Sequence, residues 1–173
     1  MLRVDRKELR ALQAPLKERY TADPEAALIT LSAVGTIGEG LSCSVQTGRA
    51  IAEAGLHPAT GGDGSHLCSG DMLLEALVAC AGVTLRAVAT SLGISAPAGS
   101  VRAEGDLDFR GTLGVDRDAP VGFSAIRLSF ELDTDADEEQ LATLCTLTER
   151  YCVVYQTLAA TPALTTILSV KQP

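Results

Sequence analysis

The chain contains no tryptophan, and aromatic residues make up only 3% of its 173 residues. Because apolar residues still reach 46%, a core is available, and it must be built mainly from aliphatic side chains. Positive charge is scarce as well: 14 lysines and arginines stand against 22 aspartates and glutamates, for a formal net charge of −8. Proteins that follow a phosphate backbone or bind an anionic surface need clustered cations. We therefore expect neither nucleic acid nor a membrane as a partner.

Long uninterrupted apolar segments are also missing. The most apolar stretch, residues 72–92, is interrupted by Glu75 and Arg86 and falls short of the ~18 apolar residues that a membrane span requires. Charges scattered through the first residues argue against a secretory signal, so we expect a soluble protein of the cytoplasm. The cysteines number five, and an odd number in that compartment does not suggest a framework of structural disulfides.

Two long amphipathic helices are predicted, and each carries one cysteine on its apolar side. The first covers residues 71–92 and places Cys80 near its middle. The second begins at a capping box formed by Asp135 and Glu138, runs to about residue 160 and turns Cys152 inward.

Alternation of apolar and polar residues predicts antiparallel strands with one face toward the core. These strands fall in residues 27–47 (a hairpin), 101–115, 123–133 (with a bulge near Ser124) and 164–170. A further helix is predicted over residues 1–20, in which Pro15 should cause a break or a kink. The order helix, two strands, helix, two strands, helix and strand predicts a single antiparallel α+β domain.

Cys80 and Cys152 are the main functional candidates. If their helices cross at these positions, the two sulfurs can approach to disulfide range, which needs Cα atoms about 4.4–6.8 Å apart. The opposing interpretation is that a free cysteine in a core serves as a small apolar side chain that is inert. We expect that inert role for Cys43 and Cys145.

A reactive buried thiol also needs a neighbour that stabilises its thiolate. Burial raises the pKa of a thiol, whereas a nearby cation lowers it. Arg49 and Arg150 are the candidate cations, and Arg49 is preferred because Arg150 lies on the far side of its own helix from Cys152.

The glycine-rich segment 55–70 is predicted to be a long loop before the first long helix. Its Cys68 is either an alternative partner for an oxidised thiol or an ordinary loop residue. His57 and His66 lack the paired spacing of zinc ligands, so no metal is expected. The glycines also lack the Lys-Ser/Thr of a phosphate-binding loop.

Two segments, SGDMLLEALVACAGVTLRAVATSLGI (69–94) and LTERYCVVYQTLAATP (147–162), resemble the cysteine-bearing helices of the OsmC/Ohr family of thiol-dependent, peroxide-detoxifying proteins. The resemblance assigns residues 27–173 to an OsmC-like α+β domain and leaves residues 1–26 as an N-terminal helical extension. It implies antiparallel sheets wrapped around two long central helices in an intertwined homodimer, with the active sites at the subunit interface.

By this resemblance Cys80 is the peroxidatic cysteine and Cys152 the resolving cysteine. Cys80 would attack an organic hydroperoxide and become a sulfenic acid, Cys152 would condense with it, and a dithiol would reduce the resulting disulfide without any cofactor. Members of the family also use an arginine from the first hairpin turn and a glutamate just before the first cysteine helix. Here the turn VGTIGEGLS holds no arginine, and only Asp71 can replace the glutamate.

These departures leave three interpretations open. The first is a thiol-dependent peroxidase that acts on organic hydroperoxides in oxidative-stress defence. The second is a non-catalytic homodimer that binds a small apolar or electrophilic ligand in the same cavity. In the third, both thiols are buried and unreactive.

Overall fold

The computed structural model describes residues 6–37, 43–45, 54–64, 67–96 and 98–169. Arg49 and His66, two of the residues considered above, lie outside these ranges. The helices are α1 (Arg6–Ala22), α2 (Ser69–Leu92), α3 (Phe109–Thr112), α4 (Glu138–Tyr151) and α5 (Val153–Ala159). The strands are β1 (Leu28–Ile37), β2 (Cys43–Val45), β3 (Ala54–Gly55), β4 (Leu67–Cys68), β5 (Ala98–Asp108) and β6 (Phe123–Asp133).

The main sheet has four antiparallel strands in the order β2-β1-β5-β6. β1 and β2 form the predicted hairpin. Between β5 and β6, Asp106 lies opposite Ala125 whereas Leu107 lies opposite Phe123, so Ser124 is the extra residue of a bulge. The predicted class, helices with an antiparallel sheet, and the predicted bulge are both confirmed.

α2 is the core helix, and it packs against β1, β5, α4 and α5. It ends as predicted at Gly93, whose left-handed backbone (φ 70°) is one that glycine adopts without strain. Its length and composition would allow it to cross a membrane, but the core helix of a globular domain passes the same test.

The sequence pattern predicted that Cys80 lies on the buried side of α2, but the side that the structure buries is not centred on Cys80. It is formed by Leu74, Leu77, Val78, Ala81, Gly82, Leu85, Val88 and Ala89, while Leu73 and Val83 are exposed. Cys80 lies at the edge of this buried side and is half-buried, not central. The prediction was imprecise because α2 is apolar around most of its circumference, so periodicity alone cannot locate the side that the sheet covers.

Two predicted strands are shorter or missing. The strand predicted over residues 101–115 ends at Asp108, because the Asp108 carboxylate accepts the N–H of Arg110 (3.0 Å) and begins α3. The strand predicted over residues 164–170 is wrong for residues 164–169, which form no helix or strand.

The segment 55–70 is also more ordered than a loop. β3 and β4 pair in parallel at its two ends, and a 3₁₀ turn covers Pro58–Thr60. α1 packs on this turn: the buried Tyr20 hydroxyl donates to the Ala59 carbonyl (2.8 Å), and Gln13 Nε2 donates to the Thr60 carbonyl (3.3 Å). Pro15 lies within α1 and does not end it.

The second long helix begins two residues later than predicted. Asp137 caps α4 through the N–H of Gln140 (2.8 Å), and the Gln140 side chain accepts the N–H of Asp137 (3.0 Å). The predicted capping box of Asp135 and Glu138 is therefore wrong. Both pairs have the same spacing of three residues, so the sequence could not distinguish between them.

Candidate active site

Cys152 interrupts the helix that was predicted to run to residue 160. α4 ends at Tyr151, Cys152 has an extended backbone (φ −74°, ψ 108°), and α5 begins at Val153. The residue caps both helices: its N–H donates to the Thr148 carbonyl (2.9 Å), and its Sγ accepts the N–H of Tyr155 (3.4 Å). No proline or glycine marks this break, so the sequence pattern missed it.

The structure brings Cys80 and Cys152 together. Cys152 is fully buried at the junction of α4 and α5, whereas Cys80 is half-buried on α2. The two thiols are close enough for each to shift the pKa of the other. Two cysteines 72 positions apart in the sequence thus form one thiol pair.

The surroundings of Cys80 favour its thiolate. Burial opposes ionisation, but the backbone N–H of Val154, the Cys152 thiol, the N–H of Val153 and the Thr84 hydroxyl together hold the pKa of Cys80 below its ordinary value. The two N–H groups are free to do so because residues of the first helical turn have no partner within the helix. All four of these donors are uncharged.

Cys152 is shifted in the opposite direction. Burial raises its pKa, and the neighbouring Cys80 raises it further, against the N–H donors of Tyr155 and Val154. The pair therefore holds a half-buried sulfur whose pKa is lowered beside a buried sulfur whose pKa is raised. That is the arrangement in which one thiol attacks and the other resolves.

The family profile described as OsmC-like protein matches residues 62–167, a span that includes both helices of the thiol pair. The chain belongs to the OsmC-like protein family. The family resemblance inferred from the two helix segments is thereby confirmed.

A solved OsmC-like relative has the same fold. The crystal structure of an OsmC-like hydroperoxide resistance protein from Jannaschia sp. CCS1, at 1.70 Å resolution, superposes with a TM-score of 0.62 at 16% sequence identity. The likeness covers 85% of this chain and 97% of the other. At that identity it establishes the fold alone. None of the curated proteins matches the chain.

Of the two cations predicted for this OsmC-like chain, Arg150 does not contribute to the ionisation of either thiol. Arg150 is exposed and its guanidinium lies over the Tyr151 ring, 5.6 Å from the ring centre. Arg49 lies outside the described residues, so its role stays a prediction. The thiolate donors that sequence reasoning missed are Thr84, Val153 and Val154. Of these, only Thr84 left a signal, because it lies one helical turn after Cys80.

Asp71 is not beside Cys80 in this chain. The two residues are about 14 Å apart along the axis of α2 and half a turn apart around it. Burial raises the pKa of the Asp71 carboxyl, while His57 lowers it. Burial and the Asp71 charge likewise raise the pKa of Glu75. The catalytic role predicted for Asp71 stays a prediction.

The remaining cysteines are spread over other elements. Cys68 is half-buried at the start of α2, and Cys43 lies in β2. Cys145 is exposed on α4, which corrects the prediction that it is a core residue. Local desolvation and the Glu149 carboxylate, 3.9 Å from its sulfur, raise the pKa of Cys145. This thiol is disfavoured as a nucleophile.

His57 has a structural role. Its Nδ1 accepts the N–H of Ala59 (3.0 Å), and its ring stacks on Phe109 with 5.0 Å between ring centres. Within the described ranges, no cluster of three or more histidine, cysteine or acidic side chains could hold a metal ion.

A groove with mostly apolar side chains lies within one helical turn of each cysteine. It has a volume of about 310 Å³ and lies between β6 and α5. Leu77, one helical turn before Cys80, and Tyr155, one turn after Cys152, line it together with Phe123, Leu128 and Leu158. The groove can accommodate an aliphatic or aromatic group.

Proposed function

We propose that this OsmC-like protein is a thiol-dependent peroxidase that reduces organic hydroperoxides in oxidative-stress defence. The observation that carries the proposal is the thiol pair, in which Cys80 is held toward the thiolate and Cys152 toward the thiol. Membership of the OsmC-like family supports a peroxide-related role.

The reaction follows from this asymmetry. The Cys80 thiolate attacks the terminal oxygen of the hydroperoxide, the O–O bond breaks, and the substrate leaves as an alkoxide that takes up a proton to become the alcohol. Cys80 is then a sulfenic acid. The Cys152 thiol condenses with it, forming the S–S bond and releasing water. A dithiol reductant restores both thiols by exchange and is itself oxidised to a disulfide.

The groove beside the pair supports an organic substrate over hydrogen peroxide. Most of its lining side chains are apolar, so it can favour a hydroperoxide with a hydrocarbon group, because such a group gains free energy by leaving water.

The proposal includes an intertwined homodimer. Residues 161–169 form no helix or strand and are exposed; Leu164 and Leu168 are 88% and 90% exposed. Apolar side chains this exposed are typical of a surface that a partner covers. Among the described strands β6 lies at the edge of the main sheet, and no described strand pairs with its outer side. A second copy of the chain that covers residues 161–169 and pairs with β6 would form the intertwined dimer. Asp71 and Arg49 are proposed to act in that dimer.

The decisive experiment is peroxide consumption in the presence of a dithiol by three purified variants. Cys80→Ser should abolish turnover, and Cys152→Ser should permit one equivalent of hydroperoxide to react and leave a sulfenic acid on Cys80. Cys145→Ser, which removes an exposed thiol outside the pair, should retain turnover. Undiminished consumption by Cys80→Ser would refute the proposed function.

The second candidate function is a non-catalytic homodimer that binds a small apolar or electrophilic ligand. The apolar groove and the uncharged donors around Cys80 favour it. Rapid, stoichiometric formation of a sulfenic acid on Cys80 at low peroxide concentration would exclude this alternative.

A further inference from the structure

We propose that Gly105 sets the size of the organic group that this site accepts, because its lack of a side chain lets the Phe123 ring lie against β5 and keeps the groove beside α5 open. Gly105 is thus a positioning residue that acts through Phe123. The inference rests on the proposed function for the identity of the substrate. The geometry of the groove can be tested with thiol reagents and without any peroxide.

The bulge in β6 directs Phe123 toward the inner face of the sheet. In a regular strand, residues three positions apart point to opposite faces. Here Ser124 is the extra residue, so Phe123 and Ile126 are both half-buried and both pack against the core. The Ser124 hydroxyl donates to the Asp106 carbonyl on β5 (3.1 Å) and holds the bulge against the neighbouring strand. The Phe123 side chain therefore starts on the core side of the sheet.

The Phe123 ring lies directly over Gly105. Phe123 is opposite Leu107 in the ladder, and its ring reaches diagonally along β5 to the next inward-facing position, which is Gly105. A Cβ added to Gly105 would be 2.5 Å from both Cδ1 and Cε1 of the ring and 3.3 Å from its Cζ. Carbon atoms in favourable contact are about 3.5–4.0 Å apart. The ring therefore occupies the space that a side chain on Gly105 would need.

The backbone does not require a glycine at this position. Gly105 is not one of the described glycines with a left-handed backbone. Gly99, on the same strand, is different, because a Cβ there would be 2.5 Å from the carbonyl oxygen of Glu131. At Gly105 the three atoms nearest to such a Cβ all belong to the Phe123 ring. A glycine inside a strand weakens the strand, and the close approach of this ring is the reason for accepting that cost here.

The free space beside the ring is the groove. Phe123 lines it from β6, while Tyr155 and Leu158 line it from α5. Since one side of the ring lies against β5, a methyl group added there would displace the ring toward the groove by about 1 Å. Leu77, which also lines the groove, is one helical turn before Cys80. Space lost from the groove is therefore lost to the organic group of a hydroperoxide that reacts at Cys80.

The test compares the reaction of Cys80 with N-phenylmaleimide and N-methylmaleimide, which carry the same electrophile on groups of different size. Both reagents are applied to the reduced wild-type protein and to Gly105→Ala, and modification of Cys80 is followed by mass spectrometry. We expect Gly105→Ala to lower the ratio of the phenyl rate to the methyl rate about tenfold, the usual effect of one methylene group in an apolar pocket. The double variant Gly105→Ala, Phe123→Leu should restore most of the ratio, because the smaller side chain leaves room for the added methyl group.

The same variants are then compared in turnover of cumene hydroperoxide and hydrogen peroxide with a dithiol. The ratio of the two kcat/KM values should fall about tenfold in Gly105→Ala and recover in the double variant. Gly122→Ala is the matched control, because it adds the same methyl group one residue before Phe123, where nothing lies within 4 Å. It should leave both ratios unchanged, and a fall equal to that of Gly105→Ala would overturn the inference.

If Gly105→Ala does not fold, Phe123→Leu tests the inference from the other direction. By widening the groove it should make a naphthyl maleimide react with Cys80 severalfold faster, relative to N-methylmaleimide, than in the wild-type protein. Unchanged ratios in a folded variant would overturn the inference even in a protein that reduces hydroperoxides. Maleimide ratios that change as expected in a protein that consumes no hydroperoxide would sustain the role of Gly105 and refute the proposed function instead.

Discussion

Oxidation of the thiol pair should stabilise the fold, and the size of the effect can be worked out from the chain. A bond between Cys80 and Cys152 closes a loop of about 72 residues in the unfolded state. Loop-closure entropy then predicts about 4 kcal/mol of stabilisation. Against this, the Cys152 sulfur loses most of its bond with the N–H of Tyr155 (3.4 Å), which costs about 1 kcal/mol. The expected net gain in the free energy of unfolding is about 3 kcal/mol.

The assay is urea unfolding of reduced and oxidised protein, followed by far-ultraviolet circular dichroism. The oxidised sample is prepared with one equivalent of hydroperoxide, and peptide mapping verifies that Cys80 and Cys152 are joined. With a urea dependence of about 2 kcal/mol per molar, the unfolding midpoint should rise by about 1.5 M. The Cys152→Ser variant, which cannot form the bond, should show no such rise.

Two results would refute this reasoning. If the mapped disulfide joins Cys80 to Cys68 or Cys145, oxidation does not occur at the contact between Cys80 and Cys152. If Cys80 and Cys152 are joined but the midpoint does not rise, the closed bond is strained enough to cancel the entropic gain, and the reduced geometry is not poised for it.

Two further predictions concern the parts of the fold that hold the site. Leu144 lies on the buried side of α4, so Leu144→Ala should lower the free energy of unfolding by about 2–5 kcal/mol. Leu141 lies on the exposed side of α4, so Leu141→Ala should lower it much less. Equal losses of the two variants in urea unfolding would contradict this packing. On the outer face of the sheet, hydrogen bonds from Arg127 and Thr30 lower the pKa of Asp106 to about 2 from 3.8, so its stabilising contribution is complete above about pH 4 and is lost as the pH falls toward 2. Asp106→Asn should therefore make stability less dependent on pH between 4 and 2, and an unchanged dependence would show that the ion pair is not formed in solution.

The elements that sequence predicted well are those whose pattern is local and redundant. The hairpin, the bulge at Ser124 and the end of α2 at Gly93 each follow from alternation or from one residue with a known backbone preference. Conversely, Asp137 and Asp135 satisfied the same capping pattern, and only the path of the chain into α4 selected one.

The predicted strand at residues 164–170 failed for a different reason. A strand needs a partner, and residues 164–169 have none within the described part of this chain. Local β-propensity can indicate that a segment is able to pair, but the pairing itself is a contact between distant parts of one chain or between two chains.

By itself, the sequence singled out Cys80 and Cys152 as candidates and identified the family to which the segments around them belong. The tertiary structure decided what the cysteines can do. It breaks the second helix at Cys152 and so turns the N–H groups of Val153 and Val154 toward Cys80, and it leaves Cys80 half-exposed while it buries Cys152. The spacing of residues along a chain indicates which face of a helix each residue occupies. The pKa of a thiol depends instead on hydrogen-bond donors from other elements, and only tertiary packing determines where those donors lie.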